Sequence, residues 1–204
     1  AIEDCLFEGN TGIEGGGGAT SWRGDAVVRN SLFRGNRSDE EGGGYSAEGL
    51  VSFENNIVVG NTAPLGAGLY AGTKYVTLSM VNSTISGNNG TGFLSDVSTN
   101  LSNTLIAGNT IDLSGTVTGT HNLIGNGDDQ TGLTNGVDGN IFGTVANPSN
   151  PRFARSPSDS GDGWGDDPAT PGVDEGDNDD YGDLQLTIRS SAIDAGDNAI
   201  VPAA

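Results

Sequence analysis

One six-residue pattern ending in Gly-Asn returns six times down the first two-thirds of the chain. The copies read Cys5-Leu-Phe-Glu-Gly-Asn10, Ser31-Leu-Phe-Arg-Gly-Asn36, Asn56-Ile-Val-Val-Gly-Asn61, Ser83-Thr-Ile-Ser-Gly-Asn88, Thr104-Leu-Ile-Ala-Gly-Asn109 and His121-Asn-Leu-Ile-Gly-Asn126. Their final Asn residues fall 26, 25, 27, 21 and 17 positions apart. A unit of that length buries its apolar face only against its neighbours, so the chain is read as a solenoid.

Aligned on the final Asn, the copies read as columns. Three residues earlier stand Phe7, Phe33, Val58, Ile85, Ile106 and Leu123, all apolar and expected in the core. Two residues earlier stand Glu8, Arg34, Val59, Ser86, Ala107 and Ile124, a mixed column that strand alternation turns outward. Gly precedes Asn in every copy and allows a tight bend. Six residues before Asn come Asp4, Asn30, Asn55, Asn82, Asn103 and Thr120, mostly residues that bond their own turns. The corner residues Asn10, Asn36, Asn61, Asn88, Asn109 and Asn126 are expected to bond along the stack, as amide ladders do in cross-β fibres. Short apolar runs and abundant Gly favour an all-β parallel solenoid over a helical repeat, with three short strands and three turns per coil.

A second feature recurs between the corners: Gly15-Gly-Gly-Gly18, Gly42-Gly-Gly44-Tyr45 and Gly66-Ala-Gly68-Leu-Tyr70. Once-per-coil recurrence points to turns or close backbone stacking rather than a phosphate cradle, since no Lys-Ser/Thr or strand–helix context follows.

Phe-x-x-Asn alternating with Gly-Gly-Gly-Tyr resembles the repeats of right-handed parallel β-helix surface proteins, of the polymorphic outer-membrane and choice-of-anchor Q types. Val81-Asn-Ser-Thr-Ile-Ser-Gly-Asn88 and Thr120-His-Asn-Leu-Ile-Gly125 are similar to the strand-and-corner signatures of the second group. Asn150-Pro-Arg-Phe153, Gly182-Asp-Leu-Gln-Leu186 and Ser191-Ala-Ile-Asp-Ala-Gly-Asp197 resemble its terminal module. The resemblance implies a right-handed parallel β-helix that is secreted or held at the cell surface. It implies no single activity.

The formal net charge of −19 argues against a basic nucleic-acid-binding face. No apolar run of membrane-spanning length and no secretory or targeting segment is read. Ala1-Ile-Glu-Asp-Cys5 already lies inside a repeat, which suggests a processed product, a fragment, or a subunit whose first coil something else completes. Cys5 is the single cysteine and is expected to be a small, partly buried thiol.

Residues 1–155 are read as the coils and 156–204 as an acidic, loop-rich terminal segment that packs on the solenoid or extends it. The segment holds 12 acidic residues among 49, with Arg189 its only base. Asp159, Asp162, Asp166, Asp167, Asp174, Asp177, Asp179 and Asp180 resemble Asp/Gly-rich calcium loops, and Ca²⁺ needs six to eight oxygen ligands. Neither the run 159–167 nor the run 174–180 has the EF-hand order, and a solvated acidic loop is the competing reading. Trp164 is placed to cover this site or to pack on the solenoid.

For catalysis, Asp128-Asp129 is the best carboxylate pair and His121 the only histidine. His121 is expected to be packed rather than to act as a general base. Arg23-Gly-Asp25 is read as a turn. Asn36, Asn82, Asn89 and Asn100 fit the N-glycosylation pattern weakly. The leading expectation is a non-catalytic extracellular structural protein, either an adhesin stalk or a fibre subunit stacking end to end. The alternatives are a glycan-binding module with Trp22, Tyr45, Tyr70 and Tyr75 on an outer face, or a polysaccharide lyase or hydrolase using Asp128 and Asp129 beside an Arg.

Overall fold

The computed structural model describes residues 1–72, 76–165 and 176–201. It is an all-β parallel solenoid whose coils carry strands on three faces. The first face stacks Ile2–Glu3, Ala26–Arg29, Leu50–Glu54 and Thr77–Val81 in parallel register. The second runs from Leu6–Glu8 through Leu32–Arg34, Ile57–Val59, Thr84–Ser86, Leu105–Ile106 and Leu123–Asn126 to Ile141–Gly143. The third stacks Ala19–Trp22, Tyr45–Glu48 and Leu69–Ala71. The long strands Thr91–Ser102 and Ile111–Thr120 run across the first and third faces and join them into one sheet. Among the described residues, helix is confined to two short 3-10 turns, Gly176–Asn178 and Asn198–Ile200, and no helix is long and apolar enough to cross a membrane.

Each face sends side chains inward in register, with Val51 and Leu78 adding a second column on the first face and Ala47 and Ala71 on the third. Phe7, Phe33, Val58, Ile85 and Ile106 stack in register on the second face. Val28, Phe53, Met80 and Leu101 stack on the first, and Tyr45, Leu69, Phe93 and Leu113 on the third. These columns close on one another as one continuous core, in which Phe33 lies against Tyr45 and Phe53.

The sixth copy departs from the expected alignment by one residue. Ile124, not Leu123, pairs with Ile106 in the core column. Both residues are apolar, so the pattern alone does not distinguish the registers. Asn126 is consequently displaced from the corner column, where the preceding five Asn residues stand.

The Gly-rich runs are backbone-stacking sites, as their recurrence implies. A Cβ on Gly44 would stand 2.6 Å from the Gly68 carbonyl oxygen, and one on Gly68 would stand 2.5 Å from that of Gly92.

The acidic segment packs along the side of the rod. Phe153–Arg155 and Asp183–Leu186 form a small antiparallel pair, so its first strand partner lies just before residue 156. From there it runs back along the corner glycines of the second face as a strap. Cβ atoms on Gly60 would meet Tyr181 at 2.7 Å and Trp164 at 2.8 Å, and one on Gly87 would meet Pro157 at 2.5 Å. The missing side chains make a flat trough, and Trp164 lies in it stacked on Tyr181 at 5.4 Å. Val59, Ser86 and Ala107, of the column expected to face outward, are buried here. Cys5, expected to be partly buried, is exposed.

Candidate functional site

The most ordered polar feature is the corner ladder. Asn10, Asn36, Asn61 and Asn88 each donate a backbone N–H and a side-chain amide to the Oδ1 of the Asn one coil later, at 2.8–3.1 Å. Asn36, Asn61 and Asn88 are almost wholly buried, so these bonds form where water cannot compete. The ladder ends on Asp112. Its Oδ1 accepts from the backbone and amide of Asn109 at 2.9 and 3.1 Å, and its Oδ2 accepts from Asn126 N at 2.8 Å. A carboxylate suits this terminus because every facing group is a donor. Asn126 therefore contributes a backbone N–H, not a rung.

A second ladder runs along the preceding corner, where the copies begin at Cys5, Ser31, Asn56, Ser83 and Thr104, while Asn122 stands one place into its copy and Asn140 outside the copies. Backbone N–H groups of Cys5, Ser31, Asn56, Thr104 and Asn122 donate to the side-chain oxygens of Ser31, Asn56, Ser83, Asn122 and Asn140.

The expected Ca²⁺ set is only partly brought together. Asp166, Asp167 and Asp174 lie outside the described residues. Asp162 accepts from Asn178 Nδ2 at 2.7 Å, Asp180 pairs with Arg155 at 2.8 Å, and Asp159 caps Gly161 N at 3.1 Å. Asp177 is exposed in the short 3-10 turn. Asp179 Oδ2 accepts from Gly165 N at 2.8 Å, while its Oδ1 is buried without a hydrogen-bond partner. Among the described residues, no three Asp, Glu, His or Cys side chains are grouped to hold a metal ion.

A cluster that the Asn-based alignment misses lies on the third face. Tyr70 donates its hydroxyl to Asp96 Oδ2 at 2.8 Å. Glu41 accepts from Ser46 Oγ at 3.2 Å, and Glu48 nearby adds to the burial that pushes its carboxyl up. Trp22 stands in register with Glu48, 66 % exposed, with the Arg23 guanidinium 5.5 Å over its ring. Aligning the copies on the Gly-rich runs instead places Trp22, Glu48 and Gly72 in one column, which Asp96 joins one coil later. Tyr45 and Tyr70 are buried rather than aligned on the surface with Trp22, and Tyr75 lies outside the described residues.

Asp128 accepts from Val145 N at 2.8 Å, and no ion pair joins Asp128 or Asp129 to an Arg among the described residues. The His121 ring packs against Gly139, and its buried Nδ1 has no hydrogen-bond partner. The Asn36 amide is spent in the ladder, which removes it as a glycan acceptor.

Burial pushes the carboxyls of Glu41, Asp112 and Asp179 above their ordinary range. At Asp112 burial outweighs the hydrogen bonds that lower it, and at Asp179 the charges of Asp162 and Asp159 add to the rise. A raised carboxyl binds its proton more tightly folded than unfolded. Its contribution to stability is complete below the unfolded pKa and is lost as pH rises through the folded one. The melting temperature is therefore expected to rise on mild acidification from pH 7 toward about pH 4, with self-repulsion at −19 acting in the same sense. A calorimetric series across that window checks it, and a fall in melting temperature would contradict it.

The strap makes its own prediction. Trp164 is 9 % exposed in its trough. Trp164→Ala is expected to free the strap locally, speeding proteolysis there by about tenfold while the solenoid keeps its circular dichroism. Cleavage at the wild-type rate would show that the stack does not hold the strap.

No protein-family model, no curated protein and no solved structure matches the chain.

Proposed function

We propose that this chain is a non-catalytic structural rod of a secreted or surface-held protein, serving as an adhesin stalk. The observation that carries the reading is the pair of side-chain ladders bonding coil to coil inside the corners. They fix the stacking axis with buried bonds, which is what a spacer under lateral load requires. The likeness to choice-of-anchor Q and polymorphic outer-membrane repeats belongs to this proposal, as does the extracellular setting.

The stalk is preferred to an end-to-end fibre of identical copies because the edge beyond the last coil is occupied. The strands Ile2–Glu3, Leu6–Glu8 and Ala19–Trp22 are paired on one side only. At the other end, side chains occupy edge groups: Asn135 accepts from Phe142 N, Gln130 from Leu133 N and Asp128 from Val145 N. Copies stacked end to end would have to displace these bonds. Small-angle scattering across a concentration series tests the choice. A rod profile independent of concentration is expected, and a length that grows with concentration would return the fibre.

Ca²⁺ is carried in the proposal as a ligand of the strap, where Asp179 Oδ1 is unpartnered and Asp159 and Asp162 lie near enough to raise the Asp179 pKa. Strap proteolysis is expected to slow with Ca²⁺ and quicken with EDTA. Equal rates would remove Ca²⁺ and leave the stalk standing.

A second reading is favoured by the third-face cluster. Ala47, Ala71 and Ser95 are stacked in register, so Glu48 and Asp96, which follow the outer two, leave the sheet two strand spacings apart, about 9–10 Å. That is near the separation used by inverting glycosidases, and Trp22 offers a sugar platform beside it. Glycan binding lost on Trp22→Ala, or hydrolysis lost on Glu48→Gln, would support this reading; a blank glycan screen would end it.

A further inference from the structure

The outward column at the start of the second-face strands is a stripe in strict register. Leu6, Leu32 and Ile57 form its first half, Thr84 stands between, and Leu105, Leu123 and Ile141 form its second half. Beside it runs the corner column Asn30, Asn55, Asn82 and Asn103, all held in the left-handed region at φ 50–55°.

The chain covers the second half itself. Leu186, Ala192, Ala195 and Gly196 of the strap lie over that groove. Asn103 clasps the strap backbone from both sides: its Nδ2 donates to Asp197 O at 2.9 Å, and Asp197 N donates to its Oδ1 at 2.8 Å. A Cβ on Gly196 would stand 3.4 Å from Asn103 Oδ1, an ordinary contact, so the clasp tolerates a small side chain there.

The first half has the same construction and, among the described residues, nothing over it. It is a groove of about 600 Å³ lined from Asp4 and Leu6 to Asn82 and Thr84. Leu6 is 55 % exposed and Ile57 39 %. Asn55 and Asn82 repeat the backbone geometry of Asn103 in the two coils before it. The Asn55 amide already donates to Asn30 Oδ1 at 2.8 Å, which leaves Asn82 as the equivalent of Asn103.

We infer that this uncovered half is a docking groove for a segment of a partner protein built like the strap's own turn, Ala192-Ile-Asp-Ala-Gly-Asp197. Small side chains, as at Ala192 and Ala195 of the strap, rest on Leu32 and Ile57, and Asn82 clasps one extended residue, as Asn103 does Asp197, through its N–H and C=O. Continuity with the contact the chain makes with itself identifies the occupant. A second copy is the weaker candidate, because its strap is already held by its own Asn103. The inference is separate from the stalk reading, since peptide binding and rod shape are measured independently.

The test uses the full chain and a fluorescein-labelled synthetic peptide of residues 190–201, read by anisotropy. Saturable one-to-one binding is expected. Ile57→Asp should weaken it by about tenfold or more, and Asn82→Gly should do the same while keeping the left-handed corner. Ile188→Asp, at a residue 95 % exposed on the strap, should leave it unchanged. Melting curves confirm that each variant is folded. No saturable binding at millimolar peptide, or wild-type binding by Ile57→Asp, would overturn the inference. A dimer that excludes the peptide and dissolves on Ile57→Asp would overturn the partner assignment in favour of a second copy.

Discussion

Asn61→Ala is expected to lower stability by on the order of 4 kcal/mol and to unfold the middle of the rod first. Asn61 is wholly buried. Its Oδ1 accepts from the backbone N–H and the amide of Asn36, both at 2.9 Å. Its own amide donates to Phe33 O at 3.0 Å, Val59 O at 3.1 Å and Asn88 Oδ1 at 3.0 Å. Alanine keeps the backbone bond to Asn88 but strands two donors of Asn36 and leaves the carbonyl of Phe33 without this partner. Each buried group left unpaired costs about 1–3 kcal/mol, against about 5–15 kcal/mol for a whole domain. Urea unfolding followed by circular dichroism measures the loss.

Asn61→Asp separates the ladder from simple loss of volume. The carboxylate still accepts from Asn36, yet it turns a charged oxygen toward three acceptors. It should be at least as damaging as alanine at pH 7, and less so near pH 4, where a carboxyl proton restores one donor. A melting temperature within about 2 °C of the parent for Asn61→Ala would mean the ladder is decoration rather than support.

How far the fold can be read from the chain depends on the range of the signal. The corner Asn column is legible because Gly-Asn is a local pair repeated at one spacing, and its neighbours in the fold are the same residues one coil away. The Gly-rich runs are legible for the same reason. The sixth copy slips out of alignment because Leu123 and Ile124 satisfy the core position equally, and only the pairing of Ile124 with Ile106 decides. Asp112 escapes the pattern because it lies between two copies, yet it ends the ladder. The course of the strap is not legible, because its contacts join distant parts of the chain, such as Trp164 with Gly60 and Asp197 with Asn103. The Glu41, Glu48, Asp96 and Tyr70 cluster is hidden by the choice of Asn as the point of alignment. Of the acidic residues marked for a metal, the described ones are mostly engaged by backbone N–H groups, Asn178 or Arg155, partners that a run of aspartates does not reveal.

Gly44→Ala is the second large effect, expected to cost roughly 3 kcal/mol or more. The cause is crowding, not backbone strain, because the φ of Gly44 is not in the left-handed region. Its new methyl would stand 2.6 Å from Gly68 O, 2.8 Å from Val58 Cγ1 and 3.2 Å from the ladder amide of Asn61. The nearest of these is backbone, and it is fixed in turn: Gly44 N donates to that same carbonyl at 3.0 Å and Tyr45 N donates to it at 3.1 Å. To admit one methyl, two coils must separate at the Gly-rich corner. That separation would loosen the Asn61 ladder and the contact of Tyr45 with Leu69 together. Gly9→Ala is the control. Gly9 has a φ of +63° and nothing within 4 Å of the methyl that alanine would add, so only the left-handed strain of about 1 kcal/mol applies. If the two variants melted together, turn conformation would explain both glycines and close stacking neither. A wide gap between them would show that the Gly-rich runs exist because one coil's carbonyl sits where the previous coil's side chain would be.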